Sequence, residues 1–441
     1  MSKKPGGPAK LAVVIVATAT GTHMKSRRPK VLHEIGGKPL LGHVIATAGK
    51  VVAAQDILVI AGNSAERIKA AVAASGVGFV EQAEGCGTGT AILDAREAIA
   101  GYENVLVLPG DVPLIRAETV REVWESHQKE RAAMTALTAA SEDSKGSDRE
   151  IDTGICAFQT AALLAQLAAH SARRELNLSE LAGPLAAAGK RVVAVKAASS
   201  AEVLGANTLA ELAALDATLR AATAARLMER GVTIFRPETC VIDADIEVGT
   251  DTVIEPFVQL LGATRVGSDC LIRSYSVIED CTLGDGVLIR QSCVLEGSVI
   301  AHGAQIGPFA HLRPGSEIGE EAHVGNFVET KKAKLGKGVK AGHLTYLGDA
   351  EIGEGTNIGA GVITCNYDGV HKHKTKIGKG VFVGSDSTLV APVAIADGAY
   401  VGAGSCITKD IPANALAVAR SHQVVKEGWA TARRERQTKR E

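Results

Sequence analysis

Between Arg313 and Tyr367 the chain gathers side chains that a purely structural segment does not need: Arg313, Asn326, Lys331, Lys332, His343, Tyr346, Asn357, Asn366 and Tyr367. Imidazole is a side chain suited to acid–base work, which His343 offers, and cations such as Arg313 and Lys331 suit a phosphorylated substrate. Acid–base chemistry beside phosphate-binding cations points to group transfer on a sugar phosphate. A second candidate lies near the N-terminus. There the apolar run Leu11–Ala17 opens into Thr18-Ala19-Thr20-Gly21-Thr22-His23-Met24, a turn of the kind that cradles phosphates. Gly110-Asp111 follows the apolar run 105–108 and puts a carboxylate at the end of a buried strand.

Those residues need elements to hold them. From residue 11 to about 204, short apolar runs (11–17, 57–61, 105–108) alternate with helical stretches (39–52, 65–74, 117–127). This alternation predicts a mostly parallel α/β sheet whose ligands bind beyond the carboxyl ends of its strands. Residues 207–230 are rich in Ala and Leu, contain no Gly or Pro, and stop at Gly231, which predicts a connecting helix. From about Cys240 the apolar period becomes six, with Val248, Ile254, Leu260, Val266, Ile272 and Ile278 in one register. The register steps by one at Leu283, resumes as Ile306, Leu312, Ile318 and Val324, and later runs Ile377, Val383, Leu389, Ile395, Val401 and Ile407. One inward aliphatic per six residues, often followed by Gly, predicts a parallel β-helix whose turns stack their aliphatics into a ladder. The break at residues 365–376 predicts an inserted loop.

Composition bounds the function. The 441 residues are 46% hydrophobic and 22% charged, a globular balance long enough for two domains. With 48 basic against 49 acidic residues the net charge is -1, which argues against nucleic acid as a partner. The 48 glycines and only 3% aromatics fit a glycine-punctuated repeat. No apolar run approaches the ~18 residues of a membrane span, and no cleavage site follows a signal-length stretch, so the expectation is a cytoplasmic protein without membrane insertion. The eight cysteines include no C-x-x-C pair, so reduced structural thiols are expected and zinc is not.

The segments Arg313-Pro314-Gly315, Val324-Gly325-Asn326-Phe327-Val328-Glu329, Lys331-Lys332-Ala333, Gly342-His343-Leu344-Thr345-Tyr346-Leu347-Gly348-Asp349-Ala350, Asn357-Ile358-Gly359-Ala360-Gly361 and Asn366-Tyr367-Asp368-Gly369 closely resemble one enzyme family. It is that of the bifunctional N-acetylglucosamine-1-phosphate uridyltransferases/glucosamine-1-phosphate acetyltransferases. The resemblance implies an α/β nucleotidyltransferase domain, Rossmann-like with a mostly parallel sheet, followed by a left-handed parallel β-helix of hexapeptide repeats. It divides the chain into residues 1–204 (uridyltransferase), 205–232 (linker helix), 233–420 (acetyltransferase β-helix) and 421–441 (charged tail). It also implies a homotrimer with the acetyl-CoA groove between neighbouring chains. His343 would take a proton from the amine of glucosamine-1-phosphate as it attacks the thioester of acetyl-CoA. Arg313 and Lys331 would hold the sugar phosphate, and Tyr346 and Asn357 would orient the sugar. Ala360, Asn366, Tyr367, Ser385, Ala403 and Arg420 match acetyl-CoA positions.

In the N-terminal half the resemblance assigns Lys30, Gln82, Gly87, Thr88, Gly110, Asp111, Asp152 and Asn207 to the uridyltransferase substrates, UTP and a hexosamine phosphate. Asp111 and Asn207 would also hold Mg²⁺. The product would be UDP-N-acetylglucosamine for envelope synthesis. This half also departs from the family. Thr18, Ala19 and His23 alter the glycine-rich turn, and Asp152 stands where the family carries Asn. No counterpart of the Tyr-Gly-Arg or Glu-x-Lys-Asp-Ala segments is found between Leu137 and Ile151. Two readings follow: a bifunctional enzyme, or an acetyltransferase whose degenerate first domain serves as a structural or ligand-binding module. The basic end, with Arg433, Arg434, Arg436, Lys439 and Arg440, reads as a solvated, partly disordered tail. Trp429 reads either as a contact to a neighbouring chain or as a local anchor.

Overall fold

The computed structural model describes residues 10–18, 24–62, 64–82, 87–140, 150–170 and 176–438. The chain divides into two compact units, Met1–Ala222 and Thr223–Glu441.

The first unit is built on β1 (Leu11–Ala17), β2 (Ile57–Ala61), β3 (Gly78–Glu81), β4 (Asn104–Pro109), β5 (Met134–Ala140), β6 (Glu150–Gln159) and β7 (Val192–Lys196). Among the described residues they form one sheet in the order β3-β2-β1-β4-β6-β5-β7. β1 runs parallel to β2 and β4, whereas β6 is antiparallel to β4 and β5. β1 is apolar without alternation because both its faces are covered. Leu11, Val13, Ile15 and Ala17 enter one core, and Ala12 and Val14 the other. The helical expectations hold at Leu40–Ala48, Ala65–Val72 and Ala117–Lys129. A Cβ at Gly110 would lie 3.1 Å from the Val16 carbonyl oxygen, so a glycine there lets the ends of β1 and β4 run side by side. The long helix Leu209–Glu229 ends at Gly231, whose φ of 90° a residue with a Cβ rarely adopts. The boundary between the two units falls inside this helix.

The second unit is a left-handed β-helix, with parallel sheets of eleven, ten and nine short strands among the described residues. Each complete coil gives one strand to each sheet, and the incomplete coils at the C-terminal end account for the unequal counts. The ladder Ile254, Ile272, Ile289, Ile306, Val324, Ala341, Ile358, Val383, Val401 stacks in register. Each fully buried aliphatic contributes about 1.5–3 kcal/mol, and this ladder together with those of the other two sheets forms the unit's core. The one-residue step at Leu283 is a shortened coil: Val248 stacks on Val266, eighteen residues on, but Val266 stacks on Leu283, seventeen on. The insertion lies between strands Ile363–Cys365 and Thr375–Ile377 and is pinned by a bridge between Tyr367 and Lys372. Phe257 and Tyr275, and Phe309 and Phe327, stack as exposed pairs 5.0 and 5.3 Å apart on left-handed corners of successive coils.

One expectation is corrected at the C-terminus. Trp429–Thr438 is a helix with every residue exposed, in place of a partly disordered tail. Its alanine and arginine content supports helix formation without burial. Trp429 is 56% exposed, with the Arg433 guanidinium 5.4 Å from its ring centroid, so it is not a local hydrophobic anchor. No helix among the described residues is long and apolar enough to cross a membrane. Residues 439–441, Cys86, the turn residues Ala19 to His23 and the segment 141–149 lie outside the described residues.

Candidate active sites

Stacking of coils places the candidate residues of the β-helix. Asn326 pairs with His343 on the next coil, and the Ala341–Ile358, Ile358–Val383 and Val383–Val401 pairings carry the same row through Ala360, Ser385 and Ala403. Residues separated by 17, 17, 25 and 18 positions thus form a single line up one face. His343 is exposed at the end of strand Lys340–His343, and its Nδ1 lies 2.6 Å from Asn326 Oδ1. With the amide oxygen accepting, Nδ1 carries the proton and Nε2 is left as the basic nitrogen. Thr345 donates to the His343 carbonyl at 2.7 Å and fixes the backbone there. The cleft in front of His343 measures about 540 Å³ and is also lined by Asn357, Ala360 and Ser385. Arg290, His323 and Lys340 line it too. Burial, then the neighbouring Arg290 guanidinium, lowers the pKa of the His323 imidazole. These three escape a reading of the sequence; coil-length spacing is the available signal, since His323, Lys340 and Asn357 stack directly.

Arg313, Lys331 and Tyr346 belong to the adjacent sheet, the ten-stranded one. Arg313 Nη1 donates to Glu329 Oε1 at 2.9 Å. The Lys331 pKa is lowered first by Arg313 and next by Lys372, the charge crowding expected where an anion is to be held. Lys372 rides on the insertion and also escapes the sequence reading, because a loop lysine carries no periodic signal. Gly348 leaves room for the Tyr346 ring, whose hydroxyl would meet any Cβ at that position. Asn366 Nδ2 donates to Asp349 Oδ2 at 2.5 Å, and the exposed Tyr367 hydroxyl donates to the Gly369 carbonyl at 2.6 Å. Hydrogen bonds from the His371 amide and the His373 ring hold the Asp368 carboxyl down to about 2, which keeps that side chain ionised in the turn of the insertion. Arg420 is exposed past the last strand, alongside the Gly404 turn next to Ala403. The structure therefore divides the expected residues between two faces of the prism, His343 with Asn357 on one and Arg313 with Lys331 on the other.

In the first unit three distant segments converge. Lys30, buried in the short turn of helix after Pro29, forms an ion pair with Asp111 Oδ2 and donates to Asn207 Oδ1 at 2.8 Å. Asp111 follows the end of β4, and the chain at Gly205 passes so close to it that a Cβ there would lie 3.1 Å from the Asp111 carbonyl oxygen. The Asn207 amide donates to Glu211 Oε2 at 2.7 Å, which fixes the start of the long helix. Glu211 carries no signal of its own in the sequence. Gln82 is buried beyond β3 and donates to Thr90 Oγ1 at 3.1 Å, while Gly87, at φ 98°, precedes the helix Thr88–Asp94. Asp152 stands apart in β6, its carboxylate accepting from the Gly154 amide at 3.0 Å.

Both units match known protein families. Residues 13–232 match the MobA-like NTP transferase domain, 236–334 the GMPPB C-terminal domain, and 374–409 six repeats of the bacterial transferase hexapeptide. The chain is 52% identical to the "Bifunctional protein GlmU" of Koribacter versatilis, with 98% of each chain covered. It is 44% identical to the protein of that name from Anaeromyxobacter sp., with 97% of this chain and 94% of the relative covered. For the one from Syntrophotalea carbinolica the figures are 45%, 95% and 96%. Full-length identity of this degree across both units means that the chain belongs to the GlmU family of bifunctional transferases, a nucleotidyltransferase joined to a hexapeptide-repeat acyltransferase.

Proposed function

We propose that the two clusters carry the family's two reactions, acetyl transfer at His343 and uridyl transfer at Lys30–Asp111–Asn207, which together make UDP-N-acetylglucosamine. In the first, the neutral amine of glucosamine-1-phosphate attacks the thioester carbonyl of acetyl-CoA. His343 Nε2 takes the amine proton, the carbon–sulfur bond breaks, and the proton passes to the departing thiolate. Asn326 holds the Nδ1 proton and steadies the imidazolium as it forms. Arg313, Lys331 and Lys372 bind the phosphate; Tyr346 and Asn357 orient the sugar. The row Ala360, Ser385, Ala403, with Arg420 beyond it and Asn366 and Tyr367 on the adjoining insertion, takes acetyl-CoA.

In the second reaction a phosphate oxygen of N-acetylglucosamine-1-phosphate attacks the α-phosphorus of UTP and pyrophosphate leaves. Lys30 stabilises the charge that develops there, while Gln82 and the Gly87-Thr88 turn bind the nucleotide. Mg²⁺ fits Asp111 and Asn207: both present hard oxygens, and both are already drawn to one cation, the Lys30 ammonium. Bound there, Mg²⁺ neutralises phosphate charge.

Division of the acetyltransferase residues between two faces supports a homotrimer in which a neighbouring copy completes each site, and the exposed aromatic corners support the same assembly. The reaction belongs to the cytoplasm, where its nucleotide and thioester substrates are made. The reading of the first unit as a degenerate module is not favoured: the single observation that carries the bifunctional reading there is the intact Lys30–Asp111–Asn207 cluster, in a chain related to GlmU proteins over its full length. The test supplies UTP, N-acetylglucosamine-1-phosphate and Mg²⁺ and follows pyrophosphate. Release that vanishes in Asp111→Ala supports the reading; no release from a protein that still transfers acetyl groups overturns it.

A further inference from the structure

Lys30 does more in this structure than wait for substrate. Its ammonium sits against both oxygens assigned to the metal, paired with Asp111 Oδ2 and 2.8 Å from Asn207 Oδ1. The side chain is buried, so its proton donors depend on these partners instead of water. Asn207 is anchored through its backbone N–H to Glu211, and the Gly205 backbone passes close beside Asp111. A divalent cation placed on the same two oxygens would stand within a few Å of the ammonium and be repelled by it. A triphosphate removes that conflict, because it offers Lys30 anionic acceptors while bringing oxygens of its own to the metal.

We propose that before substrate binds Lys30 takes the place of the divalent cation between Asp111 and Asn207, and that the arrival of nucleotide with metal moves its ammonium onto the phosphates. This rests on the reading of Asp111 and Asn207 as metal ligands. Free metal then binds the nucleotide-free protein weakly, and nucleotide and metal each strengthen the other's binding, as linkage requires. The swap also keeps Asp111 paired when the site is without substrate, which avoids an uncompensated carboxylate next to a packed strand end.

The test is Mn²⁺ binding to the full-length protein, read from the electron paramagnetic resonance of free Mn²⁺, with no turnover involved. Lys30→Met should bind Mn²⁺ about tenfold or more tightly than wild type without nucleotide, a difference of about 1.4 kcal/mol. The gain should persist at high KCl, because displacement by contact is not screened as a distant charge would be. With UTP saturating the protein, and Mn²⁺ chelation by UTP subtracted from a protein-free titration, the advantage of Lys30→Met over wild type should disappear. Lys30→Gln serves as the second neutral variant, and circular dichroism with a melting curve establishes that each is folded. Equal or weaker Mn²⁺ binding by both folded variants overturns the proposal, as does a gain that salt abolishes. Adding Asp111→Asn separates the two levels of the argument: if Mn²⁺ binding ignores that change, the assignment of the metal ligands fails; if it depends on Asp111 but not on Lys30, only the swap fails.

Discussion

Asn326→Ala tests the acetyltransferase site where its geometry is most specific. The perturbation removes the oxygen that accepts from His343 Nδ1 at 2.6 Å and leaves the coil otherwise intact, because Asn326 is half-buried at a strand end. A hydrogen bond to a group that becomes charged contributes about 1.5–3 kcal/mol. The pair is exposed to water, so the lower part of that range applies, about 1.5–2 kcal/mol. At 1.36 kcal/mol per decade this is a loss of about 10- to 30-fold in kcat, against about 10²- to 10⁴-fold for His343→Ala. The contact strengthens as the imidazolium forms, so the loss falls on kcat and the KM values for both substrates stay near wild type. Steady-state release of the CoA thiol measures both. Asn326→Asp keeps an acceptor and should recover most of the rate. If Asn326→Ala stays within about twofold of wild type while His343→Ala is inactive, the orienting role is refuted.

Three further outcomes follow. Lys372→Ala should raise the KM for glucosamine-1-phosphate about tenfold with little change in kcat, since it removes one of the cations crowding Lys331; titration of substrate measures it. Gly325→Ala should lower the melting temperature, because its Cβ would run into the Gly342 carbonyl of the next coil, and overpacking of this kind costs about 1–3 kcal/mol or more. Stability of the first unit should fall in acid through His127, which burial holds near 4 from an ordinary 6.5. A base depressed on folding stabilises the fold fully above 6.5, and that contribution, at most about 3 kcal/mol, is lost as pH falls from 6.5 towards 4. His127→Gln should flatten that slope in pH-dependent melting curves.

The β-helix was legible because its period is a direct consequence of its geometry. One inward aliphatic per six residues needs no tertiary information, and even the shortened coil shows as the step at Leu283. The face on which a polar residue lands is a different matter. Asn326, His343, Ala360, Ser385 and Ala403 become a row only once the length of every coil, insertion included, is known. Arg290, His323 and Lys340 look like solvated strand residues until stacking puts them in one cleft. In the first half, Lys30, Asp111 and Asn207 are joined across as many as 177 positions, a contact that spacing alone does not encode and that entered through family resemblance. The helical end from Trp429 is hidden from a reading that weighs its charge and not its helix propensity.

The most direct test of the central claim is a single incubation of the purified protein with glucosamine-1-phosphate, acetyl-CoA, UTP and Mg²⁺, followed by mass spectrometry. The account predicts UDP-N-acetylglucosamine from the wild type. His343→Ala should make it only when N-acetylglucosamine-1-phosphate is supplied instead, and Asp111→Ala should stop at N-acetylglucosamine-1-phosphate. Accumulation of that intermediate by the wild type, with no nucleotide sugar, would contradict it.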